Sequence, residues 1–143
     1  MCSAAAIYGH DGSCWAFSPN FPELKSYDFE IEDMGGNKSS VPVNEVEIAK
    51  KVGGEGCRNP SDAGIRLGEH KFMFVRFDDS GDVPGAQLSK QGGGGAAIAN
   101  CGTASVIAFV EKETKNSKGV DQTHAEALLQ VVAMAAYLKE QGY

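Results

Sequence analysis

Most of this sequence consists of short apolar runs, and turns containing glycine separate many of them. Short runs of this kind that are bounded by turn residues are typical of strands. Short strands joined by tight turns can pair as an antiparallel sheet, whereas parallel strands need long crossover connections. The predicted strands are SAAAIY (3–8), SCWAFS (13–18), GIRLG (64–68), KFMFVRF (71–77), VPGAQLSK (83–90), AAIAN (96–100) and TASVIAFVE (103–111).

The first two runs are joined by Gly-His-Asp-Gly, residues 9–12. Asp-Gly tolerates the positive φ that a tight hairpin turn requires, so the two runs are predicted to pair. Trp15, the single tryptophan, alternates with small residues in the second run, so one face carries a large indole. A tryptophan on a strand more often belongs to the core, but on an exposed strand it would form part of a binding surface. The residues alone leave both interpretations open.

Two helices are predicted in addition to the strands. Asn44 can cap a short helix over NEVEIAKKV, and the glycines at 53–54 would end it. Asp121 is the predicted N-cap of a long helix over 122–141, whose apolar residues recur at helical spacing. The sum is an α+β fold, in which helices pack on a central antiparallel sheet of about six to seven strands.

An acidic segment interrupts this pattern early in the chain. Residues 23–33 contain five acids and one lysine. Tyr27, Phe29 and Ile31 alternate with acids, so the segment is predicted to form a strand with one apolar and one solvated face. We expect a surface hairpin here that is mobile and makes few contacts with the core.

Composition excludes several classes of protein. The 143 residues carry a net charge of −6 and a pI of about 5.0, which argues against general nucleic-acid binding. No apolar run is long enough to span a bilayer, and the first residues lack the pattern of a signal peptide. The four cysteines are scattered, so we expect reduced thiols, no metal site and no cofactor. Cys14 and Cys101 lie in apolar contexts and are predicted core thiols. A single cytoplasmic domain over 1–143 fits these features.

No motif indicates catalysis. QGGGG, residues 91–95, is followed by a predicted strand rather than the helix that a phosphate loop needs, so it is interpreted as a turn. His10, His70 and His124 lie in or beside turns or at a helix start, and no serine or cysteine nucleophile accompanies them in a recognisable motif. The carboxylates of DDSGD are typical of a turn. The chain is therefore not predicted to be an enzyme.

Four stretches resemble the profilin family and occur in the family's order over nearly the whole chain. AAIYGHDGSCWAFSPNFPELK is similar to the first profilin hairpin, and GIRLGEHKFMFVR to the strand pair with the LGG-K motif, in which Glu69 replaces a glycine. SKQGGGGAAIANCGTASVIAFVEKE resembles the family's K-GGI-I--TG-ALV stretch, and AAYLKEQGY its C-terminal YL---GY. The resemblance implies the profilin fold.

The sequence departs from the common family pattern in two ways. Profilins usually begin with a helix that carries a tryptophan and a tyrosine, whereas this sequence starts at the first strand. The acidic stretch 23–40 and the loop 112–120 are longer than in animal or plant profilins. They are similar to extended segments of protist profilins such as those of apicomplexans.

The resemblance implies binding of monomeric actin, regulation of filament assembly, and a place in the cytoplasm and cytoskeleton. It also implies a second surface for proline-rich partners such as formins, and phosphoinositide binding that we expect to be weak at this net charge. The implied actin surface comprises Lys71, Met73, Phe74, Arg76, Lys90, Asn100 and His124. The implied proline-rich surface comprises Trp15, Tyr137, Leu138 and Tyr143, whose aromatic rings would offer flat contacts to a polyproline II helix.

Two other classes of function stay open, a signalling or trafficking adaptor on a similar scaffold without actin binding and a small enzyme. The discriminating feature is whether Trp15 and Tyr143 share one exposed groove while Lys71 and Arg76 share a separate exposed face. Lys71 and Arg76 are an odd number of residues apart, so a regular strand would place them on opposite faces.

Overall fold

The computed structural model describes residues 4–19, 21, 24–57, 64–68, 70–81, 83–90, 94–110 and 124–143. Two elements are helical, α1 (Glu45–Glu55) and α2 (His124–Glu140). The strands are β1 (Ala4–Gly9), β2 (Cys14–Phe17), β3 (Ser26–Glu32), β4 (Lys38–Asn44), β5 (Ile65–Leu67), β6 (His70–Asp78), β7 (Gly85–Lys90), β8 (Gly95–Asn100) and β9 (Ala104–Val110).

Seven of the strands form one antiparallel sheet in the order β2-β1-β9-β8-β7-β6-β5. The predicted fold class, an α+β fold with a sheet of six to seven strands, is thus confirmed. Pairing of β1 with β9 brings the N-terminal hairpin beside the strand that precedes the last helix. The two ends of the chain therefore meet at one side of the sheet. β3 and β4 pair with each other in a separate two-stranded sheet, the arm (residues 26–44).

The two faces of the main sheet carry different elements. On the α2 face, α2 crosses β7, β8 and β9 and buries small side chains such as Ala97 and Ala99 against Val131 and Ala135. On the α1 face, α1 and part of the arm cover a larger core, in which the ring of Phe109 stacks between two other phenylalanine rings. Its centroid lies 4.9 Å from that of Phe21 and 5.6 Å from that of Phe72.

Helix α1 begins where the sequence predicts and ends later. The side chain of Asn44 accepts a hydrogen bond from the backbone N–H of Glu47 at 3.1 Å, so the predicted N-cap is confirmed. The predicted end at residues 53–54 is wrong, because the helix continues to Glu55 and Gly56 caps it with a φ of 67°. A left-handed residue at this position satisfies the last helical carbonyls, and glycine adopts it without strain.

The two glycines inside α1 serve close packing instead. A Cβ atom on Gly53 would lie 2.5 Å from Cγ2 of Ile98, and one on Gly54 would lie 2.6 Å from Nδ2 of Asn100. Both contacts are far inside van der Waals distance. Glycine at these positions therefore lets α1 rest directly on β8.

Glu45 joins the arm, α1 and the β5–β6 turn. Its side chain is fully buried, and Oε1 accepts hydrogen bonds from the backbone N–H groups of Lys25 at 2.9 Å and Gly68 at 3.1 Å. Oε2 accepts from the hydroxyl of Tyr27 at 3.0 Å. A buried carboxyl group is stable in a fold when its oxygens are satisfied in this way.

The arm packs on the protein more closely than its acidic sequence predicts. Tyr27, Phe29 and Val41 contact the α1-face core, and the guanidinium carbon of Arg66 lies 3.8 Å from the centroid of the Phe29 ring. The expected scarcity of core contacts is therefore wrong for the base of the arm. At the tip, Met34 is fully exposed.

Candidate functional site

A β-bulge in β6 decides which of its side chains reach the α2 face. Phe74 pairs with Leu88 and Arg76 with Gln87, so Val75 is an extra residue between two paired positions. The bulge shifts the alternation by one residue, so Arg76 faces the same way as Lys71 and Met73. The prediction that Lys71 and Arg76 occupy opposite faces is therefore wrong.

Four side chains form an exposed patch on this strand, which we call the β6 surface: Lys71, Met73, Val75 and Arg76. Met73 is 55% exposed and Val75 43% exposed, so the patch has an apolar centre between two cations. The guanidinium of Arg76 lies 3.2 Å from a carboxylate oxygen of Asp78. Hydrogen bonds from Ser80, followed by the charge of Arg76, lower the pKa of Asp78.

Helix α2 borders the β6 surface. Gly85 of β7 pairs with Asp78, and a Cβ on Gly85 would lie 2.9 Å from Cδ1 of Leu128, so the helix lies almost directly on β7. Leu129 is 73% exposed and lies on the flank of α2 that turns toward β6. Val75 and Leu129 were absent from the predicted site. The helical spacing of apolar residues predicts Leu129 on the core face of α2, which is wrong, and the bulge at Val75 has no signal in the sequence.

The other residues predicted for the same surface lie elsewhere. Phe74 and Lys90 pair with residues of the α1 face, so both lie on the side of the sheet away from Lys71. Asn100 is buried at 6% exposure, and its amide donates a hydrogen bond to the carbonyl of Lys50 at 2.8 Å. His124 is the first described residue of α2, and its side chain lies outside the described part.

Trp15 and Tyr143 form a second exposed surface, at the β2 edge of the sheet. Their ring centroids are 5.4 Å apart with an edge-on angle of 62°. Trp15 is 42% exposed and Tyr143 52% exposed. Trp15 is the extra residue of a bulge, since Ile7 pairs with Ala16 and Tyr8 with Cys14. The indole is therefore part of a surface and does not fill the core.

The turn before β2 holds the indole in place. Its N–H donates to Oγ of Ser13 at 3.2 Å, and the Ser13 hydroxyl donates to Oδ1 of Asp11 at 2.6 Å. Hydrogen bonds from Ser13 lower the pKa of Asp11. A Cβ on Gly9 would lie 2.8 Å from the indole nitrogen, so glycine is required for this approach. Sequence reasoning assigned Gly9 only to the turn and missed this role.

The residues after α2 place Tyr143 against the tryptophan. Gly142 has a φ of 97°, and the turn it makes lets the backbone N–H of Tyr143 donate to the carbonyl of Leu138 at 3.0 Å. Leu138 is partly buried in the α2-face core, whereas Tyr137 is 56% exposed. Of the four residues predicted for a proline-rich surface, three are therefore exposed and Leu138 supports them. We call Trp15, Tyr137 and Tyr143 the aromatic surface.

The two surfaces lie at opposite flanks of α2. The aromatic surface begins at β2 and the β6 surface lies on β6, with β1, β9, β8 and β7 between them. At the usual strand spacing this separation is about 24 Å across the sheet. Trp15 and Tyr143 therefore share one exposed surface, and Lys71 and Arg76 share a separate one.

The cysteines and possible metal sites show no further chemistry within the described ranges. Cys101 is buried as predicted, but Cys14 is exposed, so its prediction as a core thiol is wrong. It lies on an edge strand whose residues are all exposed. Among the described residues no group of three His, Cys, Asp or Glu side chains could hold a metal ion. Neither described helix is long and apolar enough to cross a membrane.

Comparison with known proteins gives one family and a consistent fold. The model of the family described as Profilin matches residues 1–143. Profilin IA of Acanthamoeba castellanii superposes with a TM-score of 0.60 at 18% identity, over 99% of this chain and 88% of that one. Human profilin II gives a TM-score of 0.60 at 19% identity, over 97% and 89%. Mouse profilin IIa, solved in complex with a double repeat from the FH1 domain of mDia1, gives 0.59 at 21% identity, over 99% and 89%.

Proposed function

Because this chain belongs to the profilin family, we propose that it binds monomeric actin in the cytoplasm and thereby regulates filament assembly. We propose further that it binds proline-rich segments of cytoskeletal partners such as formins through a second surface. The observation that carries both proposals is the placement of two exposed surfaces on opposite flanks of α2. A ligand on one surface leaves the other accessible.

The β6 surface supports the actin proposal. Its apolar centre, Met73 and Val75, is flanked by Lys71 and Arg76, and the exposed Leu129 lies across the border with α2. Interfaces between proteins commonly combine an apolar centre with charged groups at the rim. The two cations would pair with an acidic region of actin. We therefore assign actin binding to the β6 surface together with Leu129. Phe74, Lys90 and Asn100 are left out because of their positions in the fold.

The aromatic surface supports the proline-rich proposal. Trp15 and Tyr143 are exposed rings held in a fixed edge-on contact. Polyproline II segments bind such surfaces because their backbone is already ordered and their rings stack on flat aromatic groups. The structure of mouse profilin IIa contains a double repeat from an FH1 domain, which accords with this class of ligand.

Titration with monomeric actin at physiological salt tests the actin proposal. The double variant Lys71→Glu/Arg76→Glu reverses both cations of the β6 surface, and we expect its affinity to fall by about 30-fold or more, since like charges facing each other in an interface cost several kcal/mol. The matched control Lys38→Glu/Lys51→Glu makes the same change of net charge on the arm and α1, and we expect less than about fivefold. Unchanged affinity of a folded Lys71→Glu/Arg76→Glu protein would exclude this surface. Absence of binding by the native protein would favour the adaptor interpretation.

A further inference from the structure

An apolar groove lies on the α2 face beside the aromatic surface. Helix α2 crosses β7, β8 and β9, and its other flank borders the part of the face formed by β1 and β2. The groove there has a volume of about 330 Å³. Alanine, isoleucine and valine side chains form most of its wall. The lining residues from the strands are Ala5, Ala6, Ile7, Ala16, Phe17, Ser18, Val106 and Ala108, and those from α2 are Gln130, Val131 and Met134.

The groove and the aromatic surface are neighbours along β2 and along α2. Both lie between β2 and α2: Ala16 lines the groove and directly follows Trp15, and Met134 precedes Tyr137 by one helical turn. Ala16 is exposed and Met134 is 45% exposed, so the groove is open along its length. A ligand that lies on Trp15 and runs along α2 toward its N-terminal end therefore enters the groove.

We infer that the groove is a second subsite for the same proline-rich ligand, an inference that rests on the proposed function of the aromatic surface. From Tyr137 back to Gln130 the helix rises about 10 Å, and a polyproline II segment covers that distance with about three residues. Proline rings fit a wall of small apolar side chains. The amide of Gln130 can donate to a ligand carbonyl, and water can hydrate the remaining carbonyls because the groove is open.

The test compares oligoprolines of six and ten residues by calorimetry on the native protein and two variants. Met134→Glu places a charge in the groove, and Met34→Glu makes the same substitution at the fully exposed tip of the arm. A ten-residue peptide can present a six-residue segment to the protein in about five positions. This statistical factor is the same for every variant. After correction for this factor, we expect the ten-residue peptide to bind the native protein about tenfold more tightly than the six-residue peptide. This ratio is equivalent to about 1.4 kcal/mol of additional binding free energy. Met34→Glu keeps this gain, whereas Met134→Glu loses it and keeps affinity for the six-residue peptide.

The outcomes separate the inference from the proposed function. If the six-residue peptide does not bind the native protein, the aromatic surface does not bind proline-rich segments. The proposed function of that surface and the second subsite are then both wrong. If it binds but the gain from the longer peptide is absent, or persists in Met134→Glu, the second subsite alone is overturned. A native protein that is dimeric by light scattering and becomes monomeric in Met134→Glu would also overturn it, because a second copy would then occupy the groove.

Discussion

At the scale of single residues, His10 has an environment that the sequence does not reveal. It lies in the β1–β2 turn, and its Nε2 is buried without a hydrogen-bond partner among the residues that the structure describes. Desolvation by burial, and then the charge of Lys50, lower its pKa below the ordinary 6.5. The folded protein therefore holds this imidazole neutral at pH values where the unfolded chain begins to protonate it.

This difference predicts a pH dependence of stability. Below about pH 6.5 the unfolded state binds more protons than the folded state at His10, so the free energy of unfolding decreases as the pH falls toward the folded-state pKa. We expect His10→Gln to lose less stability than the native protein between pH 7 and pH 5 in urea unfolding. His70→Gln, on an exposed position, is the matched control. Equal pH slopes for His10→Gln and the native protein would contradict this account of the turn.

Glu45 supports a second prediction at this scale. Glu45→Ala leaves the part-buried N–H group of Lys25 and the buried N–H group of Gly68 without the acceptor they now share, and an unsatisfied buried group costs about 1–3 kcal/mol. We expect the free energy of unfolding to fall by about 2–5 kcal/mol. Glu47→Ala, in the same helical turn, is the control, with an expected loss below about 1 kcal/mol. A similar loss in both variants would mean that the buried carboxyl group does not hold the arm to the sheet.

At the scale of elements, local sequence patterns predict the strands and helices but not their irregularities. The apolar run at 71–77 and the tight turn before it predict β6, and Asn44 predicts the start of α1. The bulge at Val75 depends on the registry with β7, and the continuation of α1 through residues 53–54 depends on contact with β8. Such features arise from packing between distant segments, so a short window of sequence does not contain them.

The close contact of α1 with β8 can be tested directly. Gly53→Ala would place a methyl group 2.5 Å from Cγ2 of Ile98, and overpacking of this kind costs about 1–3 kcal/mol although alanine favours helix formation. Thermal and urea unfolding measure the loss. Gly81→Ala is the control, because among the described residues no heavy atom other than those of its chain neighbours lies within 4 Å of the added Cβ. A stabilised Gly53→Ala protein would show that α1 does not rest on β8 as described.

At the scale of the whole molecule, the sequence predicts the aromatic surface better than the β6 surface. Trp15 and Tyr143 come from opposite ends of the chain, and the family resemblance together with the pairing of β1 and β9 brings them together. The predicted actin residues whose side chains the structure describes instead divide between two faces and the interior. Transferring site residues from the family by their position in the sequence places them along a strand. The register of strand pairing then determines which face of the sheet each residue occupies.

We propose that the protein has two independent binding surfaces on opposite flanks of α2. Fluorescence anisotropy of a labelled oligoproline peptide bound to the native protein, titrated with monomeric actin, tests this proposal. We expect the anisotropy to rise again as actin joins the complex, and the peptide affinity to change by less than about threefold. A fall of the anisotropy to that of the free peptide would show that the two ligands share one site. An unchanged anisotropy at the highest actin concentration would show that actin does not bind.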